Sequence, residues 1–150
     1  MSRVALLDVN VLVALFDPDH VHHELAHGWF ADHRDAGWAT CPLTENGFVR
    51  VLANPAYGSA VSRPDAVLQH LRRFCSGTDH HFWDDSVSLR DGRLFDPSVL
   101  AGHRQITDVF LLGLAVSHRG CLATFDRGLR LSAVRGARPA NLAVIGFAGD

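Results

Sequence analysis

Short apolar runs that each hand over to a helix recur along this chain, and that alternation is the pattern of a parallel sheet covered on both faces. Val4-Ala5-Leu6-Leu7 ends at Asp8, and the apolar stretch Val9 to Phe16 follows it, closed by Asp17-Pro18-Asp19. Gly37 to Cys41 is a second strand candidate, and Pro42 then sits at a first helical position, where its missing N–H costs nothing. The helix from there carries Phe48, Val49 and Leu52 to about Ala53, where Asn54-Pro55 stops it. Gly120 to Phe125 and Leu142 to Ile145 complete the clear strands, with a weaker one at His81-Phe82-Trp83.

Three further helices fill the gaps. One spans Val21 to Asp35, with Leu25, Trp29 and Phe30 on one face. Another starts at Arg63-Pro64-Asp65 and places Val67, Leu68, Leu71 and Phe74 at helical spacing up to about Cys75. The clearest runs from Ile106 to His118, with Thr107 as a candidate cap and Gly120 as terminator. Residues 84–105 match no regular pattern. With 150 residues, no repeat and no linker, the chain is expected to be a single domain over 1–150, large enough to fold without a metal or a disulfide.

Four acids fall where these strands give way to helices: Asp8, Glu45 in Pro42-Leu43-Thr44-Glu45, Asp108 near the start of its helix, and Asp126 after Cys121-Leu122-Ala123-Thr124-Phe125. In an open parallel sheet such positions meet at the carboxyl edge, where ligands bind. Any one of them could be a helix cap or a first-turn charge. Together they need a counter-charge, because two like charges 4 Å apart repel by about 4 kcal/mol at an effective dielectric near 20. The chain has no lysine to supply it; all 14 basic residues are arginine. A hard divalent cation with oxygen ligands answers the need, which points to chemistry on phosphate esters.

Charge distribution agrees. The net charge is only −2, but residues 117–140 hold Arg119, Arg127, Arg130, Arg135 and Arg138 against the single acid Asp126. Arg127 and Arg130 are the best placed for phosphate contact, the alternative being a solvated basic surface. His23 and His27 have a spacing that can chelate a metal on one helix face, but no third ligand lies at a recognisable distance, so a zinc site is not expected there. His103 and His118 read as surface or capping residues. Three cysteines without paired spacing, Cys41, Cys75 and Cys121, read as reduced thiols. No leader precedes the first strand and no apolar run approaches the ~20 residues of a membrane span, so a soluble, cytoplasmic protein is expected.

Asp8-Val9-Asn10, Thr44-Glu45, Ile106-Thr107-Asp108 and Ala123-Thr124-Phe125-Asp126, in this order and spacing, resemble the PIN-domain ribonucleases, and within them the VapC-type toxins of bacterial toxin–antitoxin pairs. The resemblance runs from Leu6 to Ile145, leaving about 79–100 unmatched. It implies a three-layer α/β/α sandwich with a mainly parallel central sheet, dependence on Mg²⁺ or Mn²⁺, and endonucleolytic cleavage of RNA. Asp8, Glu45, Asp108 and Asp126 would be the acidic metal-binding set, with Asn10 and Thr124 orienting a carboxylate or a water. Asn10 could equally cap its helix, and Thr124 could be a β-favouring strand residue. The resemblance also implies a cognate antitoxin protein as partner and a homodimer. The apolar load of Val11, Leu12, Leu15, Phe16, Leu25, Trp29 and Phe30 could serve such a partner or the core. A receiver-like Mg²⁺-binding signalling domain is the main rival and would need a lysine. A phosphatase would want a second Asp at Asn10, and a non-cleaving RNA-binding domain would not need the full acidic set.

Overall fold

The computed structural model describes residues 3–100 and 102–146. Five parallel strands form one sheet: β1 (Ala5–Leu7), β2 (Trp38–Thr40), β3 (His80–Phe82), β4 (Cys121–Thr124) and β5 (Leu142–Val144). Their spatial order is β3-β2-β1-β4-β5. The chain builds outward from β1 to one side and then returns to the other, so the direction of growth reverses between β1 and β4. Ala5 pairs with Trp38 on one flank and with Cys121 on the other, and Leu7 pairs with Ala123.

In β1, β2 and β4 alternate residues feed opposite faces and all are buried, which is why these strands read as largely apolar runs, while the edge strands β3 and β5 are more exposed. Ala5, Leu7, Trp38, Cys121 and Ala123 pack under α1 (Val9–Phe16), α2 (His23–His33), α3 (Pro42–Ala53) and α4 (Pro64–Phe74). Leu6, Ala39, Cys41 and Leu122 pack on the other side against α5 (Ile106–Ser117) and the irregular segments around it. The result is a three-layer α/β/α sandwich, as expected.

Helix starts follow local chemistry. Asp8 caps α1, its Oδ1 accepting from Val9 N at 2.7 Å. Pro42 and Pro64 open α3 and α4, and the Thr44 hydroxyl accepts from Cys41 N at 3.0 Å. Thr107, expected as a cap, lies inside α5 instead, because a 3₁₀ turn at His103–Gln105 leads directly into the helix and Gln105 takes the cap position. α5 ends before Gly120, whose N donates to the Ala115 carbonyl at 2.8 Å. Arg119, not Gly120, adopts the left-handed conformation (φ 58°). Gly120 is demanded by space: a Cβ there would lie 2.5 Å from the Val4 carbonyl oxygen and 2.6 Å from the Trp83 ring.

The stretch from 84 to 105 that resists sequence reading is held by one ring. Phe95 is 2% exposed, bridges Val134 in antiparallel fashion, and sits against α5 where Gly113 leaves room for it. Two 3₁₀ turns, Pro97–Val99 and His103–Gln105, and backbone bonds from Asp96 N to the Ala133 carbonyl and from Arg135 N to the Leu94 carbonyl add to its order. Among those residues no helix is long and apolar enough to cross a membrane.

Candidate metal centre

The reversal between β1 and β4 opens the crevice in which α/β sheets bind ligands. Asp8 leaves β1 there and is 6% exposed. Both of its oxygens are engaged: Oδ1 accepts from Val9 N at 2.7 Å, and Oδ2 accepts from the Thr124 hydroxyl at 2.9 Å. Thr124 is wholly buried at the end of β4, and its hydroxyl also accepts from Asp126 N at 3.1 Å. Asp126 is turned by a hydrogen bond from Gly128 N to its Oδ1 at 2.8 Å. A single threonine therefore ties the first and last acids together.

Asp108 enters from the first turn of α5. Its carboxyl is pushed up to about 7, first by burial, then by the charge of Asp8, and then by a hydrogen bond to Asp126 and that residue's charge. Asp8 is also raised, chiefly by burial and further by Asp126, against the lowering effect of Thr124 and Val9. Three of the four expected acids thus act on one another directly. With no cation beside them they share a surplus of negative charge.

Glu45 comes from the next strand over. It lies in the first turn of α3, and its Oε2 accepts from the Thr40 hydroxyl at 2.7 Å. The groups that feel its charge are Cys75 and His80. Thr40, buried at the end of β2, orients Glu45 as Thr124 orients Asp8. Sequence reading missed Thr40. Its signal is a threonine closing an apolar strand a few residues before an acid.

The remaining candidates spread more widely. Asn10 is exposed in the first turn of α1, while Arg127 and Arg130 are exposed just beyond Asp126. His23 and His27 are occupied structurally: Nδ1 of His23 lies 2.7 Å from the Ala14 carbonyl and Nε2 of His27 lies 2.8 Å from that of Leu15. Through these contacts they close the end of α1. His118 stacks on Trp83 with centroids 4.4 Å apart. Cys41 and Cys121 are buried and free, while Cys75 is half-buried. Of the apolar residues in the first two helices, Val11, Leu12, Leu15 and Phe30 are core, and Leu25 is 42% exposed.

The donor set of the crevice fits a hard divalent cation. Asp8, Asp108 and Asp126 offer oxygen only, and the raised carboxyls of Asp8 and Asp108 mark an uncompensated negative site, which is what such an ion relieves. Glu45, carried by the helix that follows the neighbouring strand β2, is not among the groups that shift Asp8 or Asp108.

Residues 5–134 match the PIN domain family model. The chain is 46% identical to Ribonuclease VapC44 of Mycobacterium tuberculosis over 141 residues, covering 94% of this chain and 99% of that protein. It is 42% identical to Ribonuclease VapC39 of the same species over 132 residues, covering 88% and 95%. With Ribonuclease VapC38 it shares 47% over 129 residues, covering 84% and 87%. A sheet that reverses direction beside a knot of carboxylates, matched by that family model over most of its length, places this chain in the PIN-domain family, among the VapC ribonucleases.

Proposed function

We propose that this chain is a single-domain, metal-dependent endoribonuclease, the toxin half of a toxin–antitoxin pair, that hydrolyses RNA phosphodiester bonds in the acidic crevice. The observation behind this reading is the pressure on Asp108, a carboxyl held up to about 7 by burial and by the acids beside it. A site with that much uncompensated charge is built for a cation and, through it, for an anionic substrate. Asp8, Asp108 and Asp126 would hold Mg²⁺, or Mn²⁺ in its place, with Glu45 as a fourth carboxylate from α3. When bound, the ion supplies the positive charge that draws phosphoryl oxygens and makes water acidic enough to attack.

The protein's own groups do the rest. Thr124 and Val9 N–H fix both oxygens of Asp8, so that carboxylate meets its partners in one orientation. Asp126, steered by Gly128 N, or Glu45, steered by Thr40, would position the attacking water and accept its proton. Arg127 and Arg130, exposed and close to Asp126 in the chain, would contact the RNA backbone. The partners of this reading are RNA, a cognate antitoxin protein and a second copy of the chain, all in the cytoplasm. Exposed Val21 and Leu25 offer apolar contact for a protein partner.

The test is RNA cleavage by wild type, Asp8→Asn and Asp108→Asn, each with Mg²⁺, Mn²⁺ or EDTA. Both substitutions are nearly isosteric and remove a charge, Asp8→Asn also replacing one of its two acceptor oxygens with a donor. Cleavage that needs the ion and disappears in both variants is the expected result. Metal-dependent cleavage that survives both substitutions would sink the reading, and RNA binding without cleavage by any form would replace it with that of a non-cleaving RNA-binding domain.

A further inference from the structure

Beside the all-oxygen crevice lies a cluster of different chemistry. Glu45 in the first turn of α3, Cys75 at the C-terminal cap of α4 and His80 at the start of β3 each offer one ligand atom, all within 4.8 Å of one another. Only a tight turn separates Cys75 from His80. Two other residues hold the cluster in shape. The buried Thr40 hydroxyl contacts both Glu45 Oε2 at 2.7 Å and His80 Nε2 at 2.8 Å. That hydroxyl has one hydrogen and gives it to the carboxylate, so His80 donates in its own contact. The His80 ring also packs on Trp38 with centroids 4.7 Å apart. A thiol, an imidazole and a carboxylate brought together from three elements around one orienting hydroxyl make a ligand set that Mg²⁺ does not select, whereas softer ions do.

We infer that Glu45, Cys75 and His80 form a second cation site, for a soft divalent ion of the Zn²⁺ class, and that filling it withdraws Glu45 from the acidic crevice. The second half of this inference rests on the nuclease reading. The donors need to close only slightly. With Zn–S about 2.3 Å and Zn–N and Zn–O about 2.0 Å, tetrahedral ligand atoms lie about 3.5 Å apart. Side-chain rotations of Glu45 and Cys75 cover the difference. Three protein ligands leave a fourth position. A cavity of about 270 Å³ lined by Glu45, Leu68, Leu71, Arg72 and Cys75 gives solvent access to it. On binding, the Cys75 S–H bond breaks, its proton passes to solvent, and the sulfur electron pair forms the bond to the ion, while His80 binds through the ring nitrogen that carries no hydrogen, Nδ1 as long as Nε2 donates to Thr40. Nothing is oxidised or reduced. Glu45 cannot serve both centres in one geometry, so the softer ion acts as an inhibitor of a Mg²⁺-dependent reaction.

The experiment uses Co²⁺ as the spectroscopic probe on the intact chain, in wild type, Cys75→Ser, His80→Ala and Asp108→Asn. Wild type and Asp108→Asn should both show tetrahedral cobalt bands with thiolate charge transfer, bleached by about one equivalent of Zn²⁺. Cys75→Ser should lose the charge-transfer band, and His80→Ala should bind at least about 10-fold more weakly. A charge-transfer band that persists in Cys75→Ser, or no tetrahedral signal in wild type, overturns the site. In RNA cleavage with Mg²⁺, submicromolar to micromolar Zn²⁺ should inhibit wild type but not the Cys75→Ser/His80→Ala double variant. Equal inhibition of both overturns the coupling through Glu45. The cobalt spectra decide the site even where no form cleaves RNA, so failure of the nuclease reading and failure of this one are distinguishable.

Discussion

Replacing Asp108 with asparagine should make the metal-free protein more stable, not less. The carboxyl of Asp108 is raised from an ordinary 3.8 to about 7 by burial, Asp8 and Asp126. The folded state therefore keeps this proton over a range in which the unfolded chain has already released it. Stability falls as pH rises through that window, from near 4 to near 7, and stays low above it. The full shift is worth about 4 kcal/mol at 1.36 kcal/mol per unit. Asp108 is only partly buried, so solvent screening reduces this to about 2 kcal/mol. For a chain of this length that is a rise in Tm of about 4–8 °C. An amide keeps the shape, can donate to Asp126 and carries no charge. Thermal unfolding in EDTA should show Asp108→Asn gaining little near pH 4, gaining steadily up to about pH 7 and then holding level. With millimolar Mg²⁺ the wild type should recover most of the gap, since binding to the folded state adds its own stabilisation. A gain that is the same at every pH, or a loss near pH 8, would refute the account of like charges crowded in the crevice.

Two further outcomes follow from packing and hydrogen bonding. Thr124→Val removes the donor to Asp8 Oδ2 and the acceptor for Asp126 N, and should weaken Mn²⁺ binding about 10–100-fold by calorimetry; an unchanged affinity would show that Thr124 merely fills the strand. Gly113→Ala places a methyl group against the Phe95 ring and should cost about 1–3 kcal/mol in chemical denaturation, with residues 84–100 losing hydrogen-exchange protection first.

What the sequence displays plainly is what local chemistry decides. Asp8 and Asp17 bracket α1, and Pro42 and Asn54 bracket α3, so both helices have the limits that their punctuation suggests. Asp8 and Asp126 are legible for the same reason, each leaving the end of a central strand, whereas Asp108 comes from a helix that follows irregular chain and a 3₁₀ turn and not a strand. Glu45 is legible as an acid at that edge, but not in its attachment to Thr40, which is a side-chain contact. Cys75 and His80 are invisible as a pair until α3, α4 and β3 converge, because nothing in either residue's own neighbourhood selects the other. The segment from 84 to 105 is opaque because its order comes from Phe95 reaching Gly113 and Val134, contacts distant in the chain. His23 and His27 mislead in the opposite sense: a spacing that suits a metal also suits two backbone carbonyls at the end of α1.

Thr40 and Thr124 close the two strands that flank β1, and each holds one carboxylate. Neighbouring strands lie about 4.8 Å apart, so the sheet itself sets the lateral pitch of the acids, in steps of one strand. The spacing of Asp8 and Glu45 is thereby gauged by backbone hydrogen bonds in the middle of the molecule, and Asp126 is tied to the same frame through Thr124. Loops can lengthen, shorten or change composition without altering that pitch. A lineage built this way is free to remodel the rim that meets its targets while the spacing at the centre stays constant.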